Sequence, residues 1–288
     1  MKRITEACGL EVTRLPAGTV RERGSLLGSL RTAARVGFSP ATILDVGAAR
    51  GEWSLQAAQL WPNAKFLLID PLVENKAFLQ RVVSQMRHGA FQLAAAGRDV
   101  GSTNIHVHPD LDGSSLYGER ERTIAGTVRE VAATTVDRSV LDHRLDGPYL
   151  LKADVQGAEL AVVEGAGATL AATELVILEV SLFDFFLGAA PQLEDLVAAM
   201  GARDFVAWDM FGMSYRPIDG ALAQVDMAFV RRDGIFRRIQ QYATEKQRRE
   251  QLARLATERS PRVRQSDFLS DSQRGDCSVP VQCLGGRE

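Results

Sequence analysis

The stretch Thr42-Ile-Leu-Asp-Val-Gly-Ala-Ala-Arg-Gly51 decides the fold of this chain, together with the apolar run downstream of it, Lys65-Phe-Leu-Leu-Ile-Asp70. An apolar strand ending in an acid, a tight turn with two glycines, a helix and a second acid-terminated strand describe a nucleotide-binding β-α-β unit. Gly47 and Gly51 let the backbone approach a ligand where a Cβ would collide. Asp70, closing the second strand, sits where a ribose diol is held, which marks a site for an adenosine-type cofactor.

Two cofactor classes use this architecture, and the spacing separates them. Dinucleotide enzymes carry G-x-G-x-x-G, because the middle glycine admits a pyrophosphate onto the following helix N-terminus. Here the order is Asp45-x-Gly47-x-x-x-Gly51, with Ala49 where that glycine would lie. An adenosine pocket without a pyrophosphate seat favours S-adenosylmethionine (SAM) over NAD. A glycine turn kept only for helix-to-sheet packing is the plainer alternative. Asp70, near the expected offset of about 20 residues, argues against it.

The 288 residues are 45% hydrophobic and 24% charged, enough for one substantial α/β domain with extensions. A net charge of −2 gives no global positive field to gather nucleic acid or an anionic membrane, so neither is an expected partner. Cys8, Cys277 and Cys283 form no C-x-x-C pair, which fits a reducing compartment without zinc. The first ten residues are basic but lack an apolar signal core, so a cytoplasmic protein is expected. The apolar stretch 175–190 carries Glu179 and Asp184 and reads as a buried strand plus loop rather than a membrane span.

Outward from the β-α-β unit, residues 1–41 read as a helical extension, with a helix over 24–37 covering one edge of the sheet. Residues 42–232 form the main domain. Strands are expected at 42–46, 65–69, 91–95, 149–153, 175–180, 205–207 and 226–230, and helices from about Trp53 and Asn75, over 158–170 and near 193–200. This alternation means a parallel sheet with crossover helices. Between Gly97 and Thr135 an insertion of extended pieces and loop, without a core of its own, is expected over the ligand-binding edge. A charged helix over 233–259, with Phe236, Ile239, Tyr242, Leu252 and Leu255 along it, is a possible route to a homo-oligomer. Residues 260–288 are polar and expected to be disordered.

At Leu150-Leu-Lys-Ala-Asp-Val-Gln-Gly-Ala-Glu159 a third strand ends in an acid, Asp154. Chain order places it beside the first strand, so Asp45, Asp70 and Asp154 would end three strands at one edge. A single such Asp is usually a helix cap; the recurrence points to a site.

The segments 37–48, Gly51-x-Trp53-Ser54, Ile69-Asp70-Pro71, Asp112-Gly-Ser-Ser-Leu116, Lys152-Ala-Asp-Val-Gln-Gly-Ala-Glu159, Glu164-Gly-Ala166 and Leu178-Glu-Val-Ser181 resemble the FkbM family of SAM-dependent methyltransferases. The likeness runs from about Gly37 to about Arg232, and the Lys-x-Asp-Val-Gln-Gly-x-Glu block is its most specific part. The resemblance implies the class I methyltransferase fold, a Rossmann-like, mostly parallel seven-stranded sheet with helices on both faces and an antiparallel last strand. It also implies O-methylation of a hydroxyl on a small acceptor, a sugar or secondary metabolite. The chain departs from the family in having Ala49 in place of the usual Asn, and Asp70 where Glu is commoner.

Carried over by position, Gly47 and Gly51 would cradle the methionine part of SAM, with Ala49 in the same turn and Asp45 ordering it. Asp70 would accept the ribose hydroxyls, and Ser114 and Ser115 match the family's paired serines. Asp154 would lie near the methyl group as catalytic base or orienting group, since methyl transfer chiefly requires aligning the acceptor oxygen and removing its proton. Asp154 and Glu179 are also candidate ligands for Mg²⁺, which would lower the acceptor's pKa. His106, His108 and His143 are lesser candidates for the base. A non-catalytic nucleotide-fold binding module and a dinucleotide oxidoreductase are the alternative functions; a disordered Asp154 or an occluded cleft would favour the former, and Ala49 and the absence of a nicotinamide-facing signature argue against the latter.

Overall fold

The computed structural model describes residues 24–121, 126–188 and 190–258. The three cysteines and the tail expected to be disordered lie outside them. The strands are β1 (Thr42–Val46), β2 (Lys65–Ile69), β3 (Gly89–Gln92), β4 (Ala95–Ala96), β5 (Gly101–Val107), β6 (Thr127–Thr134), β7 (Tyr149–Ala153), β8 (Thr173–Ser181), β9 (Phe205–Tyr215) and β10 (Leu222–Arg231). The helices are α1 (Leu26–Arg35), α2 (Glu52–Leu60), α3 (Lys76–Val83), α4 (Val136–Asp142), α5 (Glu159–Glu164), α6 (Gly167–Leu170), α7 (Leu193–Gly201) and α8 (Glu245–Glu258).

Seven strands form one sheet in the order β3-β2-β1-β7-β8-β10-β9. Only the last strand in sequence, β10, runs antiparallel, wedged between β8 and β9. This is the class I methyltransferase sheet. Its central strands are buried on both faces, which is why they read as unbroken apolar runs. One face packs Ile43, Phe66, Leu150 and Ile177 against α1, α2 and α3. The other packs Leu44, Leu67, Leu151 and Val176 against α4, α5, α6 and α7. The β1–β7 register sets Asp45 directly opposite Lys152, a pairing that governs the site below.

Helix α1 packs its buried Leu30 and Ala33 in one face layer, with Ile43 and with Phe211 of the edge strand β9. Several expectations need correction. The strand expected at 91–95 is two: β3 stops at Gln92, the chain turns across the end of β2 (Asp70 N–H to Gln92 O, 3.1 Å; Ala94 N–H to Asp70 O, 3.2 Å), and β4 starts a second sheet. That sheet, β4-β6-β5, has a small apolar core after all, in which Ile105, Val107 and Ala95 meet Leu72, Leu111 and Leu116. The single helix over 233–259 is a short turn at Ile235–Arg237 and the separate helix α8. Phe236 belongs to the main core, its ring 5.3 Å from Phe38 and 4.9 Å from Trp208. The compact unit runs to Arg238, and α8 lies in a second unit, exposed from Glu245 to Thr257. Among the described residues no helix is long and apolar enough to cross a membrane.

The helix expected over 158–170 breaks into α5 and α6 at Gly165, where a Cβ would sit 2.0 Å from the Gly97 carbonyl oxygen. Asp137, on the unforeseen helix α4, restarts the helix. Its carboxylate accepts the Ala168 and Thr169 N–H groups at 2.8 and 2.7 Å and the Thr169 hydroxyl at 2.6 Å. Charge-assisted bonds of this kind are worth roughly 1.5–3 kcal/mol, so Asp137→Ala is expected to lower the unfolding free energy by about 2 kcal/mol, read from the urea midpoint at constant m.

Candidate active site

A cleft of about 320 Å³ opens at the carboxyl ends of β1, β2 and β7, where open α/β sheets bind ligands. Its walls are the turn after β1, Asp70 to Leu72, Ala94 to Ala96, Ile105, the loop through Leu111 to Leu116, and the segment from Asp154 to Gln156.

The turn is built on left-handed backbone, with φ of +71° at Gly47, +46° at Ala49 and +78° at Gly51. A Cβ on Gly47 would lie 1.8 Å from the Asp154 carbonyl oxygen, so this glycine lets the turn lie against the segment after β7. A Cβ on Gly51 would meet Val82 at 2.9 Å; this glycine starts α2 and answers the packing of α3, and it does not line the cleft. Ala49 adopts a left-handed conformation that Asn or Asp tolerates better than Ala.

Asp70 follows β2 and is 5% exposed. Its Oδ2 accepts the Ala49 N–H at 2.9 Å, and its Oδ1 accepts the Leu72 N–H at 2.9 Å and the Asn75 amide at 3.0 Å. Burial outweighs these bonds and holds its pKa above 3.8. A carboxylate has about four acceptor positions, so one remains on Oδ2. Asp70 therefore ties the glycine turn to the segment after β2 and still offers an acceptor to the cleft.

Asp45 lies inside β1 rather than at its end and is fully buried. It accepts the Ser54 hydroxyl at 2.7 Å, and its other oxygen stands 3.2 Å from the Lys152 ammonium. Lys152 also donates to the Gly47 carbonyl at 3.0 Å and lies 3.5 Å from Asp154 Oδ2. Those acids hold the lysine charged, raising its pKa despite complete burial.

Asp154 follows β7 with a third of its side chain exposed to the cleft. It does not cap α5, whose N-cap Ala158 makes no side-chain hydrogen bond; Glu159, the first residue of the helix, instead reaches back and accepts the Val155 and Gly157 N–H groups at 2.9 and 3.3 Å with its Oε1. Asp154 Oδ1 instead accepts the Gln156 amide at 2.9 Å, and the same nitrogen donates to Glu179 Oε2 at 2.7 Å. Glu179 also accepts the Gln224 amide at 2.8 Å and stands opposite Asp226 across β8 and β10. Burial and the neighbouring carboxylates push Glu179 well above 4.5, and burial with Asp154 pushes Asp226 up to about 7. Burial likewise raises Glu159 to about 7.

This arrangement does not suit Mg²⁺. Asp154 and Glu179 face each other through an amide donor, with an ammonium beside them, and the described residues contain no group of three side chains able to hold a metal ion. Ser115 donates to the Gln156 carbonyl at 2.5 Å, and Ser114 accepts the His108 N–H at 3.0 Å, so both hydroxyls are engaged in holding the loop that walls the cleft. His106, His108 and His143 do not line it. Lys152, Gln156 and Glu159 sit inside the quoted motif, yet sequence reasoning gave them no role. Gln224 and Asp226 carry no local signal and enter only through the pairing of β10 with β8.

Folded Asp226 keeps its proton up to about pH 7 against an ordinary 3.8, so between these values the folded state binds more protons than the unfolded chain. Its contribution to stability therefore falls as pH rises through that window. Asp226→Asn is expected to flatten the decline and to be more stable than wild type at pH 8 by at least about 1 kcal/mol, measured by urea titration across pH.

The methyltransferase FkbM domain matches residues 45–210, which span the glycine turn, Asp70, Asp154 and Glu179. Among solved structures the chain is similar to a putative O-methyltransferase from Klebsiella pneumoniae, at 13% identity and TM-score 0.42, covering 80% of this chain and 89% of that one. It is also similar to magnesium protoporphyrin IX methyltransferase from Synechocystis PCC 6803 with bound S-adenosylhomocysteine (SAH), at 14% identity and TM-score 0.40, covering 80% and 91%. A third is precorrin-6y C5,15-methyltransferase from Geobacter metallireducens GS-15, at 10% identity and TM-score 0.39, covering 75% and 93%. No curated protein matches the chain. The family match takes in more than half of the sequence, and with the seven-stranded sheet and the cleft at its carboxyl edge it shows that the chain belongs to the FkbM methyltransferase family.

Proposed function

We propose that this methyltransferase moves a methyl group from SAM to a hydroxyl of a small acceptor, a sugar or secondary metabolite, in the cleft between the Gly47 turn and Asp154. The observation that carries this reading is the placement of Asp154. Its carboxylate follows β7, the strand paired with β1, and is partly exposed to the cleft one strand away from the turn that the family uses for its cofactor.

The cleft suits SAM in shape and chemistry. Ala95, Ile105, Leu111 and Leu116 make an apolar slot for a flat base, and Asp70 keeps one acceptor position beside it for the ribose. Gly47 presents bare backbone, with Ala49 in the same turn and Asp45 ordering it through Ser54 and Lys152. When bound, SAM supplies an activated methyl group. The protein's part is then to hold the acceptor oxygen in line with it and to take up the hydroxyl proton. Asp154 Oδ2 stands 3.5 Å from the Lys152 ammonium, and the carboxylate opens onto the cleft, placed to accept that proton or to orient the hydroxyl.

Titration calorimetry with SAM, SAH and NAD tests the cofactor. SAM and SAH should bind and NAD should not; tight NAD binding without an SAH response would overturn the reading. Asp70→Asn should weaken SAH about 10- to 100-fold, the worth of a charge-assisted bond, with the melting temperature followed separately because the same carboxylate braces the turn.

Turnover is tested with radiolabelled SAM on a panel of hydroxylated sugars and aromatic metabolites. On the acceptor the wild type methylates fastest, Asp154→Asn should lower kcat by about 10²–10⁴-fold while keeping SAH affinity, the usual effect of losing a positioned base. EDTA should leave the wild-type rate unchanged. Near-wild-type turnover in the Asn variant would remove Asp154 from the chemistry.

A further inference from the structure

Gln156 has an unusual set of constraints for a polar residue beside a cleft. Its backbone is left-handed, with φ of +53°, a conformation that costs a non-glycine residue energy and persists only where the surroundings enforce it. The enforcement is visible on every side. Its carbonyl accepts the Ser115 hydroxyl at 2.5 Å, and the N–H groups of the residues on either side, Val155 and Gly157, are both held by Glu159. With the backbone fixed, the side chain reaches between two carboxylates and gives its amide nitrogen to Asp154 at 2.9 Å and to Glu179 at 2.7 Å. Glu179 is in turn fixed by the Gln224 amide from β10.

We propose that Gln156 is a positioning residue for methyl transfer: it fixes the Asp154 carboxylate against the cleft, and Glu179 serves the site by anchoring Gln156 from behind. An amide nitrogen is suited to this place because it carries two hydrogens, one for each acid, and no charge. A carboxylate there would offer neither neighbouring acid an amide hydrogen, and a lysine would set a second ammonium against Asp154 beside Lys152. The chain of contacts from Gln224 through Glu179 and Gln156 to Asp154 thus converts the pairing of β10 with β8 into the orientation of one oxygen at the mouth of the cleft. The proposal rests on Asp154 acting on the acceptor, and it concerns residues that do not themselves touch the reacting atoms.

The test uses the full chain with SAH bound and two substitutions that keep side-chain length, Gln156→Met and Glu179→Gln. The first measurement is the side-chain amide signal of Gln156 in ¹⁵N-labelled protein, assigned by its loss in Gln156→Met. The two amide hydrogens should be shifted and slow to exchange. Asp154→Asn should perturb one of them and Glu179→Gln the other. A Gln156 amide that exchanges like an exposed glutamine, indifferent to both substitutions, would overturn the proposal whether or not an acceptor is known. The second measurement is turnover on the fastest acceptor of the panel. Gln156→Met should lower kcat by about 10²-fold, the scale of a misplaced reacting group, with KM for SAM and SAH affinity little changed. Adding it to Asp154→Asn should cost little more, because the two act as one unit. Losses that multiply would show that Gln156 works independently of Asp154 and would also overturn the proposal. If the wild type methylates no acceptor, it is the proposed function that fails, while the amide signals still decide whether Gln156 holds Asp154.

Discussion

A lysine taken out of water must be surrounded by groups that replace its hydration, and the architecture of this site follows from how Lys152 meets that demand. Its ammonium lies against Asp45 on the neighbouring strand, the Gly47 carbonyl of the turn and Asp154 beyond its own strand. Burying one ion alone costs several kcal/mol, so each partner is required by the others. Asp45 is opposite Lys152 because β1 and β7 pair in register. The turn is pulled in because a carbonyl is needed, and Gly47 is glycine because the turn then lies against the Asp154 backbone. The cofactor side and the acceptor side of the cleft thereby share one cation.

The acids around that cation differ in kind. Asp45 is sealed beneath the turn, Asp154 faces the cleft, and Glu179 and Asp226 are pushed toward the protonated form by burial and by neighbouring carboxylates, Asp154 among them for both. Like charges set directly across a strand pair repel, and the Gln156 and Gln224 amides reach Glu179 from its two sides as uncharged donors.

The strands and their order were legible because parallel strands buried on both faces leave aliphatic runs bounded by turns, as at Thr42–Val46, Lys65–Ile69 and Tyr149–Ala153. The glycine turn and Asp70 were legible for the same reason: their spacing is local. What the sequence hid is set by tertiary contact. Gly165 looked compatible with a helix until the Gly97 carbonyl occupied its side-chain space, and Phe236 looked like a helix residue until it met Phe38 and Trp208. Glu179 and Asp154 resembled a metal pair because their separation in sequence says nothing of the glutamine between them. Asp226 and Gln224 were invisible, since only the antiparallel return of β10 brings them to the site.

That return has a consequence for how the enzyme comes into being during synthesis. Because β10 is inserted between β8 and β9, a chain that has emerged only as far as Tyr215 holds β8 as a raw sheet edge, with β9 lacking its partner strand. Exposed edges of this kind recruit other chains, so the nascent protein is most open to misassembly just before its final strand arrives. The same strand delivers Gln224, the outermost anchor of the carboxylate network, so a truncated product that slipped past quality control would lack a fully assembled site. Completion of the sheet and completion of the active centre are a single event in the life of the chain.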